Sequence, residues 1–144
     1  MIDWNERITP HFTRRELGSP DTGEVRYAAG FLDRLEALRV DVDLAMAVTS
    51  GCRSPAYNQR LVDDPRYQAS PTSLHMFSNP KWGIDACAVD VACTDPMVRH
   101  ALIAAATARG FSVGVHPRFL HLDDRTTFAG LPAAIFLYSS RISR

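Results

Sequence analysis

Three side chains of the sequence, His75, Asp90 and His121, could together bind a metal ion. Imidazole nitrogens and carboxylate oxygens bind zinc at about 2.0–2.2 Å, and a catalytic zinc site keeps three protein ligands and leaves the fourth position to water. The pKa of that water falls towards ~7, so hydroxide becomes available at neutral pH. The three residues therefore predict a zinc site with hydrolytic chemistry, although fragments this short also occur by accident.

Two predicted strands would turn these side chains towards one side. In residues 86–93 the side chains alternate, and Asp90 shares its face with two alanines. In residues 119–123, His121 and Asp123 share a face and can reach a common cleft. A carboxylate between alanines is costly to bury unpaired, and either a metal ion or a nearby arginine would remove that cost.

The rest of the chain predicts a mixture of helices and strands. Thr13 and Glu16 form a capping-box pattern, and Ser54-Pro55 and Asp95-Pro96 are typical helix starts. In chain order we expect a short helix after Thr13, a helix over residues 24–39, a strand over 45–50, a helix from Pro55, a polar connection over 63–72, a strand over 86–93, a helix from Pro96 ended by Gly110, strands over 112–116 and 119–123, and an edge strand or short closing helix over 133–138.

Arg53 falls where the strand over 45–50 meets the helix that begins at Pro55. Binding residues are common at such junctions. A guanidinium there could hold a carboxylate or an oxyanion with two hydrogen bonds. The alternative is a surface arginine in an ordinary salt bridge.

Composition indicates one globular domain over residues 1–144. Apolar residues make up 46% and charged residues 22%, and 16 basic residues balance 16 acidic ones, which argues against a general affinity for nucleic acid or anionic lipid. We find no apolar run of about 18 residues and no secretory signal at the start, and we therefore expect no membrane span and synthesis in the cytoplasm. The three cysteines suit a reducing compartment. Cys87 and Cys93 form no C-x-x-C pair, so we interpret them as small buried hydrophobes.

Four motifs occur in a specific order: S-G-C-R-S-P at residues 50–55, S-L-H at 73–75, A-V-D at 88–90 and F-L-H-L-D at 119–123. In this order they resemble the M15 family of zinc peptidases, which includes D-Ala-D-Ala carboxypeptidases, D-Ala-D-Ala dipeptidases and phage L-alanyl-D-glutamate endolysins. Residues 8–17 are also similar to the start of the single-domain members. The likeness spans residues 8–123.

The resemblance implies an α+β fold with a small antiparallel sheet flanked by helices, shared with the hedgehog signalling domain. It implies zinc bound by His75, Asp90 and His121, with Arg53 binding the substrate or the oxyanion of the tetrahedral intermediate. The substrate would be a peptidoglycan peptide cut next to a D-amino acid, and Ser73 would contact it. Without a signal peptide, such an enzyme would reach the wall after lysis or as part of a phage particle.

The chain departs from the family pattern in two places. The first histidine and the aspartate are seven residues apart in the family and 15 apart here, and the extra loop, around residues 78–85, contains Trp82, which could line the cleft or block it. The family's acidic base three residues before the last histidine is replaced by Arg118, which cannot accept a proton. Asp123 and His116 are the remaining candidates for the base.

These departures keep two alternatives open. One is a non-catalytic structural or binding module of a phage particle that retains the peptidase fold. The other is a chain in which the inserted loop has dismantled the metal site and left Asp90 paired with an arginine.

Overall fold

The computed structural model describes residues 1–138, which form a mixed α+β domain. The last six residues of the expected domain lie outside the described residues. The elements are β1 (Arg7–Thr9), β2 (Phe12–Thr13), α1 (Arg14–Leu17), α2 (Phe31–Val42), β3 (Ala47–Ser50), α3 (Pro55–Asp63), β4 (Ala88–Ala92), α4 (Pro96–Ala108), β5 (Ser112–Val115), β6 (Phe119–Asp123), α5 (Arg125–Ala129) and β7 (Ile135–Leu137). The predicted α+β class is confirmed.

The main sheet has five strands in the order β3-β4-β6-β5-β7. Four of them pair antiparallel, as expected, and β7 joins β5 in parallel as an edge strand. The register places Asp90 opposite His121, His121 opposite Gly114, and Gly114 opposite Phe136. One row across four strands therefore carries two of the three predicted metal ligands.

One face of this sheet packs against α2 and α4 to form the core. The core consists of apolar side chains that are fully or almost fully buried. They include Leu35, Leu38, Val89, Val91, Leu102, Val113, Leu120 and Leu122. Because strand side chains alternate, burial of Val89 and Val91 turns Asp90 to the opposite face. Packing of the core therefore determines that Asp90 and His121 lie on the opposite face of the sheet. Among the described residues, no helix is long and apolar enough to cross a membrane.

Local capping signals were reliable. Glu16 accepts a hydrogen bond from the backbone N–H of Thr13 (3.1 Å) and another from the N–H of Val48 (3.2 Å), so the same side chain caps α1 and joins it to β3. Ser54 Oγ accepts from the N–H of Tyr57 (3.0 Å), and Asp95 caps α4. The helices therefore begin at Arg14, Pro55 and Pro96, as predicted.

The predicted helix over residues 24–39 was wrong in its first part, because α2 begins only at Phe31. Residues 24–28 form no helix, and Tyr27 pairs with Ala86 in an isolated parallel bridge. Gly30 has φ 92°, a left-handed conformation that separates this segment from the helix. The pairing with a distant segment outweighs the local helical spacing of apolar residues. The short helix α5 was not predicted.

Candidate metal centre

His75, Asp90 and His121 come together as a buried group that could hold a metal ion. Asp90 Oδ1 lies 3.1 Å from His75 Nε2 and 3.0 Å from His121 Nδ1, and the two nitrogens are 3.3 Å apart. In a tetrahedral site with bonds of about 2.0–2.2 Å, neighbouring ligand atoms lie roughly 3.3–3.6 Å apart. The three atoms therefore have the spacing that a shared metal ion requires, after a small outward adjustment.

His75 lies outside the sheet and is positioned by the backbone of Arg53. The Arg53 N–H donates to His75 O (2.7 Å), and the N–H of Phe77 donates to Arg53 O (3.0 Å). The His75 ring is fixed by Nδ1, which lies 2.8 Å from the carbonyl oxygen of Gly51. A carbonyl only accepts, so Nδ1 carries the proton and the lone pair of Nε2 faces the other two ligands.

Gly51 is required at this point because the backbone passes very close to α1. A Cβ on Gly51 would lie 2.5 Å from the carbonyl oxygen of Glu16 and 2.7 Å from that of Leu17. A larger residue would displace the strand end that supplies the carbonyl to His75. The glycine of the S-G-C-R-S-P motif therefore allows the backbone position from which its carbonyl holds His75.

His121 is oriented by Asp123. His121 Nε2 lies 2.7 Å from Asp123 Oδ2, and the same oxygen accepts from Arg125 Nη2 (2.8 Å). Asp123 Oδ1 accepts from Nε and the backbone N–H of Arg125 (3.0 and 3.1 Å). Both carboxylate oxygens are therefore occupied, and this arrangement turns His121 Nδ1 towards Asp90.

The electrostatics of the metal-free group favour a bound cation. Burial raises the pKa of Asp90, but the two neighbouring histidines outweigh it and hold that pKa well below its usual range. Burial lowers the pKa of His121, but its hydrogen bonds and charge interactions with Asp123 and Asp90 outweigh it and raise the pKa to about 9. Burial also lowers the pKa of His75. Without metal, His121 is therefore protonated at neutral pH and lies between the carboxylates of Asp90 and Asp123.

Arg53 extends beside the three ligands. Its Nη2 lies 3.2 Å from Ser50 Oγ and 3.9 Å from Asp90 Oδ2, and its Nη1 lies 3.4 Å from Asn58 Oδ1. Its Nε is buried and has no hydrogen-bond partner within residues 1–138. The distance from Arg53 to Asp90 is longer than the distances from the two histidines to Asp90. The Arg53 guanidinium therefore lies next to the site with N–H groups that are free to bind a ligand.

A cleft of about 1030 Å³ opens on the three ligands. Its wall includes several of the residues singled out in the sequence, namely Arg53, Ser73, Trp82, His116, Arg118 and Asp123. Ser73 Oγ also accepts from the backbone N–H of His75 (3.2 Å). The structure thus brings together every candidate site residue named from the sequence around one opening.

The inserted loop around residues 78–85 leaves the three ligands together. Asn79 pairs with Ile84 to close the loop, and the buried Asn79 amide donates to the carbonyls of Thr72 (3.2 Å) and Ser73 (3.1 Å). Trp82 is half-buried on the cleft wall. The loop is therefore a structured part of the wall.

His116 lies on the same wall with only 4% of its surface exposed. Its Nδ1 accepts a hydrogen bond from the backbone N–H of Arg118 (3.0 Å). Its ring stacks on Phe119 with centroids 4.2 Å apart and planes 12° apart, and it meets the ring of Tyr138 edge-on at 5.6 Å. The imidazole is therefore held by Phe119 on one face, by the neighbouring Tyr138 ring, which also lies 5.3 Å from Phe119, and at one nitrogen.

The sequence analysis missed the aromatic wall that β7 supplies. Phe136 lies 5.7 Å from the ring of His121, and both Phe136 and Tyr138 extend over Gly114. A Cβ on Gly114 would lie 2.6 Å from two Phe136 ring atoms. A glycine within a predicted strand was the available signal, since it often marks a close approach of other atoms.

The cysteines take no part in the centre. Cys87 and Cys93 are buried, unpaired and packed within the core. Cys52, also buried, packs with Phe77 and Ala86. Their interpretation as small apolar residues agrees with these positions.

Comparison of the chain with protein-family models, curated proteins and solved structures found no match.

Proposed function

We propose that this protein is a zinc-dependent peptidase that hydrolyses a peptidoglycan stem-peptide bond next to a D-amino acid. The observation that carries the proposal is the set of three buried ligand atoms, 3.0–3.3 Å apart, that opens on a cleft large enough for a peptide. The order of the sequence motifs supports the choice of substrate class.

Zinc is the metal that this ligand set suits best. Two neutral imidazoles and one carboxylate are common ligands of catalytic zinc, whereas magnesium and calcium favour oxygen ligands. His75, Asp90 and His121 would hold the ion, and its chemistry there would be to lower the pKa of water and polarise a carbonyl group. Gly51 and Asp123 would keep the two imidazoles in the tautomers that binding needs.

The protein's own side chains would bind and orient the peptide. Arg53, with its unpartnered Nε and weakly engaged Nη groups, would hold a substrate carboxylate or the carbonyl oxygen of the scissile bond. Ser73 and Trp82 would contact the peptide along the wall. In the reaction, the oxygen of water bonds to the carbonyl carbon and the C–N bond breaks. Both water protons end on the amine nitrogen, giving a carboxylate and an ammonium group.

The substrate class also defines where the protein would act. A peptidoglycan peptidase made in the cytoplasm would meet the wall after lysis or as part of a phage particle. Neither nucleic acid nor a membrane would be a partner, which is consistent with the balanced charge of the chain.

A second candidate is a non-catalytic module of a phage particle that keeps the metal site. One observation favours it: neither Asp123 nor His116 offers a free proton-accepting atom to the cleft, since the Asp123 oxygens are bonded to His121 and Arg125 and His116 Nδ1 is bonded to a backbone N–H.

The test combines metal content with cleavage. Zinc per chain is measured by mass spectrometry for the wild type, His121→Ala and His100→Ala, and the same proteins are incubated with a panel of muropeptides. His100 is an exposed residue of α4 and serves as the matched control. We expect about one zinc per chain and cleavage in the wild type and control, and neither in His121→Ala. Zinc without cleavage of any muropeptide favours the second candidate. Zinc and hydrolysis retained in His121→Ala would overturn the site.

A further inference from the structure

We infer that His116 acts as a neutral hydrogen-bond donor to an anionic oxygen of the substrate, through Nε2–H, and not as the proton acceptor of the reaction. The tautomer follows from geometry alone, while the role towards the substrate rests on the function proposed above.

The tautomer is set by the backbone of Arg118. A backbone N–H can only donate, so His116 Nδ1, 3.0 Å away, must present its lone pair. A neutral imidazole carries one proton, which must then be on Nε2. The alternative tautomer would direct two N–H groups at each other. The bond spans only two residues and closes a tight turn between β5 and β6, where the N–H of His116 also donates to Phe119 O (3.1 Å).

The charges around His116 keep the ring neutral. Burial lowers its pKa, the positive charges of Arg118 and Arg99 lower it further, and the Asp90 carboxylate opposes them. Arg99 is fixed nearby, because its guanidinium donates to the carbonyls of His116 and Phe119. An imidazolium would also have to break the bond from the Arg118 N–H, since its Nδ1 would carry a proton.

Nε2 is the atom left for a ligand. His116 lines the cleft, and within residues 1–138 its Nε2 has no hydrogen-bond partner. The stacked Phe119 ring and the edge of Tyr138 hold the imidazole plane in place. A donor fixed before the substrate arrives is the arrangement that stabilises developing negative charge, because it needs no reorganisation during the reaction.

The ligand class is an oxygen that carries full or developing negative charge. Two sources share that chemistry: the carbonyl oxygen of the scissile bond as it becomes an oxyanion, and a carboxylate of the peptide. Arg53, Arg118 and His116 would then contribute three donors around a cleft in which Asp90 is a ligand and Asp123 is paired with Arg125. The water protons would reach the amine through solvent in the open cleft.

The tautomer is tested without any assay of activity. The full chain, labelled with ¹⁵N and loaded with zinc, is examined by long-range ¹H–¹⁵N correlation at pH 7.5, and the His116 signals are assigned by their loss in His116→Gln. We expect a proton on Nε2 and a bare Nδ1. A proton on Nδ1, or on both nitrogens, would overturn the inference. Because this readout needs no substrate, it stands even if no muropeptide is cleaved.

The role is tested with two variants that separate donation from proton acceptance. Glutamine places an N–H near the position of Nε2 but cannot accept a proton at neutral pH, whereas alanine provides neither. For a donor, His116→Ala lowers kcat/KM by about 10²–10³-fold, and His116→Gln retains most of the wild-type value. Equal losses in both variants, with zinc content unchanged, would make His116 the base and overturn the inference.

The two sources of the anionic oxygen give different kinetics. Stabilisation of the oxyanion lowers kcat in His116→Ala and weakens binding of a phosphinate pseudodipeptide, which mimics the tetrahedral state. Binding of a substrate carboxylate instead raises KM and leaves kcat nearly unchanged. Either result supports donation by Nε2–H. An unchanged kcat, KM and phosphinate affinity in His116→Ala would remove His116 from the site.

Discussion

Asp123 Oδ2 lies 2.7 Å from His121 Nε2, and the carboxylate has no exposed surface. Asp123 thereby fixes the ring of a candidate metal ligand, and both of its oxygens also accept hydrogen bonds from Arg125. Alternation along the strand predicted the face on which this carboxylate lies, and Asp123 was a candidate for the base. Its contacts are those of a residue that holds a histidine in the tautomer a metal requires.

We predict that Asp123→Asn lowers zinc affinity by about 10–100-fold, since the amide cannot stabilise the His121 tautomer in the same way. Competition with a chromogenic chelator measures the change. Asp95→Asn is the matched control, because asparagine is an equally good helix cap at that exposed position. Unchanged zinc affinity with loss of hydrolysis would instead identify Asp123 as the proton acceptor.

The metal-free protein should lose stability between pH 7 and 8.5. The pKa of His121 is about 9 in the folded state and about 6.5 when unfolded, so its contribution is fully present below pH 6.5 and is lost as the pH rises through 9. His121 alone is expected to contribute a slope of about 1 kcal/mol per pH unit in this range. Unfolded thiols, with a pKa of about 8.5, ionise over the same range, and because burial raises the pKa of Cys52, Cys87 and Cys93 in the folded protein, they add to the loss of stability. Thermal unfolding of chelator-treated protein measures the total slope, and a variant without His121 separates the two contributions.

Two comparisons isolate this effect of His121. His121→Asn has no titrating group at this position, and its slope should be smaller than that of the wild type by about 1 kcal/mol per pH unit, which leaves the contribution of the thiols. The zinc-loaded wild type should show the same smaller slope, because metal binding requires His121 to be deprotonated at Nδ1 throughout. Equal slopes in the metal-free wild type and in His121→Asn would assign the pH dependence to another group.

The two candidate ligands on the sheet, Asp90 and His121, could be predicted from the alternation of side chains along their strands. Alternation along a strand places Asp90 opposite the apolar core face, and the same rule places His121 and Asp123 together. Helix starts at Pro55 and Pro96 followed from capping chemistry, which acts within four residues. Both features depend on residues that are close together in the sequence, and they can therefore be predicted from it.

His75 was beyond such reasoning. It lies on an irregular segment, and its position depends on hydrogen bonds with Arg53 and Gly51, more than twenty residues away. Its residue type made it a candidate ligand, but nothing in the local pattern predicted that it would lie beside Asp90 and His121, and the resemblance of the motifs was the stronger support. The helix prediction around Tyr27 was wrong for the same physical reason, since the residue that Tyr27 pairs with, Ala86, is distant in the sequence.

The inserted loop should depend on Asn79. Its amide makes two hydrogen bonds to carbonyls and its Oδ1 accepts from the N–H of Lys81 (3.1 Å), all with 1% of the residue exposed. Asn79→Ala leaves these groups unsatisfied, and we expect a loss of about 1–3 kcal/mol and faster proteolysis within the loop. Asn5→Ala, at an exposed position, is the control. Equal behaviour of the two variants would show that the loop is held by other contacts.

Gly114 should be coupled energetically to Phe136. The two residues face each other across β5 and β7, and a Cβ on Gly114 would lie 2.6 Å from two atoms of the Phe136 ring. Gly114→Ala must therefore displace that ring, and overpacking of this kind costs about 1–3 kcal/mol. Since the ring lies 5.7 Å from that of His121, the displacement also alters one wall of the metal centre.

A double-mutant cycle separates this contact from a general effect of alanine at position 114. In Phe136→Ala the ring is absent, and Gly114→Ala should then cost much less, although the contact to Tyr138 at 3.0 Å remains. Urea unfolding of the wild type, both single variants and the double variant provides the four free energies. An equal cost of Gly114→Ala in both backgrounds would mean that the ring is not what requires glycine. A large coupling energy would show that the Phe136 ring is what requires glycine at position 114, in the same register that aligns Gly114 with His121.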